Sequence, residues 1–246
     1  MCYTDTIPER KVDPMKKRIK LSDRTLPAYT RGEEIMNMVT HIVGGALGIA
    51  VLILCVISAA EGGAVNTTAA VIYGSSMILL YTVSSVYHGL RPCMGKKVLQ
   101  VIDHCTIYLL IAGTYTPVVL IALRPVYPTI GWGLFILEWT LAALATTLTA
   151  IDLKKYNALS MVFYIGLGWA ILPFIPLIIQ LIGLPGFLLL LAGGISYTVG
   201  AVLYGIGSKV RWMHSVFHIF VVLGSLLQFL AIYCFVLLDR HTKGSL

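Results

Sequence analysis

The sequence predicts an all-α integral membrane protein, a bundle of seven transmembrane helices, and three observations lead there. First, 58% of the 246 residues are hydrophobic and 12% charged, against about 45–50% apolar and about 25% charged in a soluble domain. Second, the mean hydropathy of +0.86 means more apolar surface than one soluble core can hide, and lipid is the natural sink for it. Third, the apolar residues fall into seven runs, 35–60, 65–90, 98–123, 130–151, 157–180, 187–207 and 212–238, each bounded by charge or turn residues. Every run is long enough for a helix to cross a hydrocarbon core of about 30 Å. Outside them lie a basic tail at 1–34 and a short tail at 239–246.

The first run follows a tail too rich in charge and proline for a cleavable signal peptide, so it is expected to act as an uncleaved signal anchor. It closes at Glu61-Gly62-Gly63. The second ends at Arg91-Pro92, before Lys96 and Lys97, and the third at Arg124-Pro125. Asp152, Lys154 and Lys155 close the fourth. Pro173 and Pro176 bend or weaken the end of the fifth. Only the uncharged stretch Gly183 to Gly186, with Pro185 inside it, separates the fifth from the sixth. Ser208 to Arg211 separate the sixth from the seventh. All connections are short, so consecutive helices are antiparallel neighbours. Gly44-Gly45 and Gly193-Gly194 read as points of close helix packing. The odd number of spans, without an internal repeat, disfavours the duplicated plan of many transporters.

The formal net charge is +7, and its placement sets the topology. Fifteen of the 18 Lys and Arg residues lie in the amino-terminal tail and in the second-to-third, fourth-to-fifth and sixth-to-seventh connections. Arg124, Arg240 and Lys243 alone lie on the other side. Positive residues stay inside, so the amino terminus is cytoplasmic and the carboxyl terminus outside in a multi-pass protein of the cell membrane. Membrane lipids are the expected partners, with added attraction to anionic ones. A basic tail without base-stacking aromatics or a recognition motif gives no nucleic-acid partner. Cys2, Cys55, Cys93, Cys105 and Cys234 are scattered without a CxxC pair, which indicates neither a disulfide scaffold nor a thiolate zinc site.

An ionisable side chain within hydrocarbon costs several kcal/mol, so each one is a functional candidate. Seven occur within the predicted spans: His41, His88, Asp103, His104, Glu138, His214 and His218. At 1.5 Å of rise per residue, His88 and His214 lie roughly 3–5 Å below the cytoplasmic helix ends, Asp103 about 7 Å, and His41 and His218 about 10 Å. Groups from four helices thus converge on one depth. His214 and His218 are i, i+4 on one helix face, as are Ser84 and His88. Two such imidazoles can grip one ion. A third from His88 would leave a fourth position for water, as in catalytic zinc sites, and imidazoles without thiolate suit zinc.

HSVFH lacks the glutamate of HExxH, so a zincin mechanism is not supported and any base must come from elsewhere. Asp103 is the carboxylate at matching depth, and Ser84 a hydroxyl one turn from His88. Glu34, Asn37 and His41 share a helix face as a second polar group, with anchoring near the interface as their expected role. His104, about 100° around the helix from Asp103, is not expected to be a ligand. Glu138 is expected to bond Thr, Tyr or Gln across the bundle.

At these residues the sequence resembles the hemolysin III family, the bacterial branch of the progestin and adipoQ receptor (PAQR) proteins, in one superfamily with the alkaline ceramidases. The resemblance rests on Ser84-x-x-x-His88, on Asp103-His104-Cys105-Thr106-Ile107-Tyr108, on Ala112-Gly113-Thr114-Tyr115-Thr116-Pro117 and on His214-x-x-x-His218. Glu33 to His41 look like the start of the family's first helix. The resemblance implies seven helices with a cytoplasmic amino terminus and Zn2+ held by His88, His214 and His218. It carries over Asp103 and Ser84 as acidic and hydroxyl partners of the water at that zinc. Family members are linked to hydrolysis of lipid amides, to membrane homeostasis and receptor-like signalling, and to haemolysis. The leading expectation is a zinc-dependent hydrolase of a lipid amide, and the alternative is a lipid sensor with a structural zinc. A membrane-permeabilising cytolysin fits seven apolar spans with cytoplasmic loops poorly.

Overall fold

In the computed structural model, which describes residues 20–207 and 210–238, every regular element is helical. The helices are α1 (Arg31–Ala59), α2 (Ala64–Gly89), α3 (Met94–Pro117), α4 (Pro128–Ile151), α5 (Asn157–Gly168), α6 (Ile175–Gly207) and α7 (Met213–Ala231). A π-helical turn, Val118–Leu123, extends α3, and another, Ile232–Leu238, extends α7. The chain is a multi-pass membrane protein. Six stretches among the described residues are long and apolar enough to cross a bilayer, and the fifth of them, Asn157–Gly207, is 51 residues long.

Local chemistry sets the helix starts. Thr30 Oγ1 accepts from the Glu33 backbone N–H while Glu33 Oε2 accepts from the Thr30 N–H, a reciprocal cap that begins α1. Cys93 Sγ accepts from Lys96 N at the head of α3, and Pro128 opens α4, where its missing N–H costs nothing. The π-helical turn after α3 follows directly on Pro117, which cannot donate to the carbonyl four residues back.

The 51-residue stretch is not one rod. It passes through a turn at Leu172–Phe174 and breaks at Gly183, whose φ of 73° and ψ of 165° lie outside helical space and suit glycine. Trp169 Nε1 donates to Thr198 Oγ1 at 3.0 Å. Residues 29 apart would be separated by about 44 Å on a continuous helix. The chain therefore doubles back, with Gly183 midway between the two partners, where the sequence placed its uncharged break.

Packing is tight where glycine allows it. A Cβ on Gly74 of α2 would stand 2.5 Å from Leu52 Cα, so α1 and α2 touch backbone to backbone. Tyr81 of α2 and Tyr197 of α6 both bond the Ser225 hydroxyl of α7, at 2.6 and 2.7 Å. This polar knot fixes how those three helices sit together. As a result, the carboxyl end of α2 and the amino ends of α1, α3 and α7 gather at one end of the bundle. The candidate residues of the sequence lie there.

Candidate metal centre

His88, His214 and His218 come together as predicted. All three are buried, and one ligand nitrogen from each lies within 4.8 Å of the other two. They are the one such group among the described residues, and no cysteine belongs to it. The i, i+4 spacing on α7 brings His214 Nε2 and His218 Nε2 to 3.0 Å. Nitrogens bound tetrahedrally to one zinc at about 2.0–2.1 Å are about 3.3 Å apart, so the pair is close to the spacing an ion needs.

The third imidazole, His88, is oriented from α1. Glu34 Oε2 lies 2.6 Å from His88 Nδ1 and Asn37 Nδ2 lies 3.4 Å from it, while His88 Nε2 is buried without a hydrogen-bond partner among the described residues. A buried imidazole nitrogen left bare is costly unless something occupies it. With its Nδ1–H donated to a carboxylate, a histidine presents Nε2 as its lone-pair atom, the arrangement of metal-binding imidazoles. Glu34 is held in turn by Lys96, whose Nζ donates to Glu34 Oε1 at 2.6 Å and to the Leu90 carbonyl at 2.9 Å. The donor set and the orphaned nitrogen both fit zinc.

Asp103 and Ser84 stand at the same place, both lining the cleft, with Ser84 beside the Asp103 carboxylate. Lys96 and Lys97, the basic residues that precede Asp103 on α3, are engaged elsewhere, by Glu34 and by the Ser22 carbonyl. Ser84, Asp103, His41 and His218 line one end of a cleft that runs between α3, α5, α6 and α7 to Ile178, Phe187 and Gln228. Its wall on α3 runs from Asp103 to Val118, about 22 Å of helix.

Outside the cleft, Tyr29 stacks on His214 with ring centroids 4.8 Å apart and covers the histidines from the bundle end. Burial pushes its phenol well above the usual range, so Tyr29 remains neutral at any physiological pH. Glu33 Oε1 accepts from the Trp212 backbone N–H at 2.7 Å, at the entry to α7, where Trp212 has a φ of 67°. Tyr29, just before α1, and Glu33, in its first turn, are thus tied across the mouth of the site.

A family profile, "Haemolysin-III related", matches residues 29–229. The chain belongs to the haemolysin III family. It is 40% identical over 207 residues to Hemolysin-3 of Bacillus cereus, covering 83% of this chain and 92% of that protein. It is 38% identical over 210 residues to a Hemolysin-3 homolog of Bacillus subtilis, covering 84% and 96%. At 27% over 170 residues it is similar to human monocyte to macrophage differentiation factor, covering 66% and 68%. Every residue of the haemolysin III site described above lies within the matched region.

The structure revises two expectations. Glu34, Asn37 and His41 do not form a separate anchor: Glu34 and Asn37 meet His88, and the His41 ring stacks on His218 at 3.8 Å. The signal was their spacing on one face of α1, but the partner of Glu34 lies 54 residues away and that of Asn37 51. His104 turns from the histidines, as its angle suggested, and meets Tyr204 Oη at 3.0 Å. Glu138 is buried, yet neither carboxyl oxygen has a partner among the described residues. Nearby polar groups are already committed, since Thr116 bonds Ala112 and Trp139, and Tyr115 bonds Gly168 and Ile171.

Glu34→Ala is expected to weaken zinc binding by about 10–100-fold, the usual cost of losing a group that orients a ligand. Glu34→Gln keeps an acceptor for the Nδ1–H and should retain most of the affinity. Competition against a chromophoric chelator measures both.

Proposed function

We propose that this haemolysin III protein is a zinc-dependent hydrolase of a lipid amide that reaches the site laterally from the bilayer. The observation that carries the reading is the cleft, which has Asp103, Ser84 and His218 at one end and continues along α3 among mainly apolar side chains. Such a space suits a molecule with one polar linkage and a long hydrocarbon chain. Its polar linkage would lie at the histidines and its chain along α3.

When bound, zinc supplies a Lewis acid for the carbonyl oxygen and makes water more acidic. His88, His214 and His218 would hold the ion, and Glu34 orients His88 by accepting its Nδ1–H. Asp103 orients the attacking water and takes its proton on a carboxylate oxygen. It then returns that proton to the amide nitrogen as the C–N bond breaks, giving a fatty acid and an amine. Ser84, beside the Asp103 carboxylate, places a hydroxyl donor within the same end of the cleft.

The same ion would also tie α2 to α7, and the Tyr29 stack and the Glu33–Trp212 bond close that end further. These contacts favour, as a second reading, a lipid sensor in which zinc is structural. Purified protein in nanodiscs, incubated with a panel of N-acyl sphingoid lipids, separates the two. Release of free fatty acid that stops with chelator and returns with zinc supports the hydrolase. Full zinc occupancy with no release from any amide supports the sensor.

The reversal at Gly183 supports seven crossings, because it divides the 51-residue stretch into two arms that lie side by side. With the basic residues at the histidine end, the positive-inside rule makes that end cytoplasmic. A reporter active only in the cytoplasm should work at the amino terminus and fail after Leu246. Activity at both termini would contradict seven crossings.

A further inference from the structure

A second charged feature lies apart from the histidines, beside the outer faces of α3 and α4. Arg24 Nη2 is 3.8 Å from Asp152 Oδ1, and the Arg24 side chain is only 9% exposed. Its Nε and Nη1 are buried without a hydrogen-bond partner among the described residues. Asp152 Oδ1 is already engaged by the backbone N–H groups of Lys154 and Lys155, at 3.2 and 3.1 Å, where it closes the turn after α4. Asp23, next to Arg24 in the chain, accepts from the Ser22 hydroxyl at 2.8 Å. A buried guanidinium with two bare donors is costly to maintain unless an acceptor meets it.

A cleft opens beside it. Lys20 and Arg24 supply its polar wall, and Leu21, Val98, Val101 and Ile102 its apolar one. Val98 and Ile102 are exposed on the outer face of α3, one turn apart, so the apolar wall continues onto the surface that a bilayer covers. A multi-acceptor anion with an attached hydrocarbon chain satisfies both walls together. Phosphate matches a guanidinium in charge and acceptor geometry.

We propose that Arg24 and Lys20 form a binding site for the phosphate of an anionic glycerophospholipid, whose acyl chain lies along Val98 and Ile102. Lipid held there braces the segment before α1 against α3 and α4. That segment carries Tyr29, which covers the histidines, so the site links membrane composition to the mouth of the metal centre.

The test uses the full chain in neutral detergent, titrated with dioleoylphosphatidylglycerol and, separately, with dioleoylphosphatidylcholine, with bound lipid counted by native mass spectrometry. Inorganic phosphate is the competing free anion. Phosphatidylglycerol is expected to be retained in preference to phosphatidylcholine and to resist millimolar phosphate. Lys20→Gln should lower its affinity about fivefold, the effect of one basic residue at a membrane surface. Arg24→Gln should lower it at least about tenfold, through loss of charge-assisted hydrogen bonds. Zinc content in both variants should equal that of the wild type, which checks folding, and exposed Lys20 keeps the test open if Arg24→Gln misfolds. Equal retention of the two lipids, or wild-type retention of phosphatidylglycerol by Lys20→Gln, would overturn the proposal. Displacement of phosphatidylglycerol by equimolar phosphate would reassign the site to a free anion.

Discussion

Alanine in place of His88, His214 or His218 is expected to strip zinc from the purified protein. Each variant keeps two imidazoles where the structure brings three ligand nitrogens within 4.8 Å. Loss of a group that only orients a ligand costs about 10–100-fold in affinity, and loss of the ligand itself should cost more. The effect should be largest for His218→Ala. His218 is buried, borders the cleft, packs against His41 and lies 3.0 Å from His214, so its removal opens a cavity beside the site as well. Zinc per protein by elemental analysis, after dialysis at low free zinc, reads this directly. Full zinc occupancy in both His214→Ala and His218→Ala would contradict the assignment.

Asp103→Asn separates chemistry from metal binding. The amide has the shape of the carboxylate and still meets the Ser84 hydroxyl, so zinc content should stay within a few-fold of wild type. The amide cannot accept a proton. Loss of a positioned general base typically lowers turnover by about 100- to 10,000-fold. Fatty-acid release from the best lipid amide should fall by that factor, with little change in the lipid concentration for half-maximal rate. Ser84→Ala should fall less, because it removes a hydroxyl beside the base and not the base itself. Unchanged turnover in Asp103→Asn would take Asp103 out of the proposed chemistry.

Much of this was legible in the sequence for physical reasons. Apolar runs and charge breaks mark helices in lipid, because hydrocarbon leaves the backbone few other ways to satisfy its polar groups. The i, i+4 spacings place His214 beside His218 and Ser84 beside His88 without knowledge of the bundle. Gly183 could be located because glycine and the nearby Pro185 both disfavour continued helix. The two π-helical turns could not all be foreseen: Pro117 explains the first, while Ile232–Leu238 has no local residue that requires it.

The environment of His88 was hidden for a different reason. The contact between Glu34 and Lys96 joins residues 62 apart, and Lys96 reads locally as a loop charge. Its burial becomes clear only when α1 lies against the α2–α3 connection. Glu138 was misjudged in the opposite sense, since the bundle offers threonine and tyrosine nearby but has already used their hydrogen bonds.

The central claim is that three imidazoles from α2 and α7 hold one zinc ion. X-ray absorption at the zinc edge of the purified protein tests it most directly. The expected spectrum has three nitrogen donors at about 2.0–2.1 Å, one oxygen and no sulfur. In His214→Ala the zinc signal should largely vanish. A sulfur shell at about 2.3 Å, or a zinc spectrum unaltered in His214→Ala, would contradict the claim.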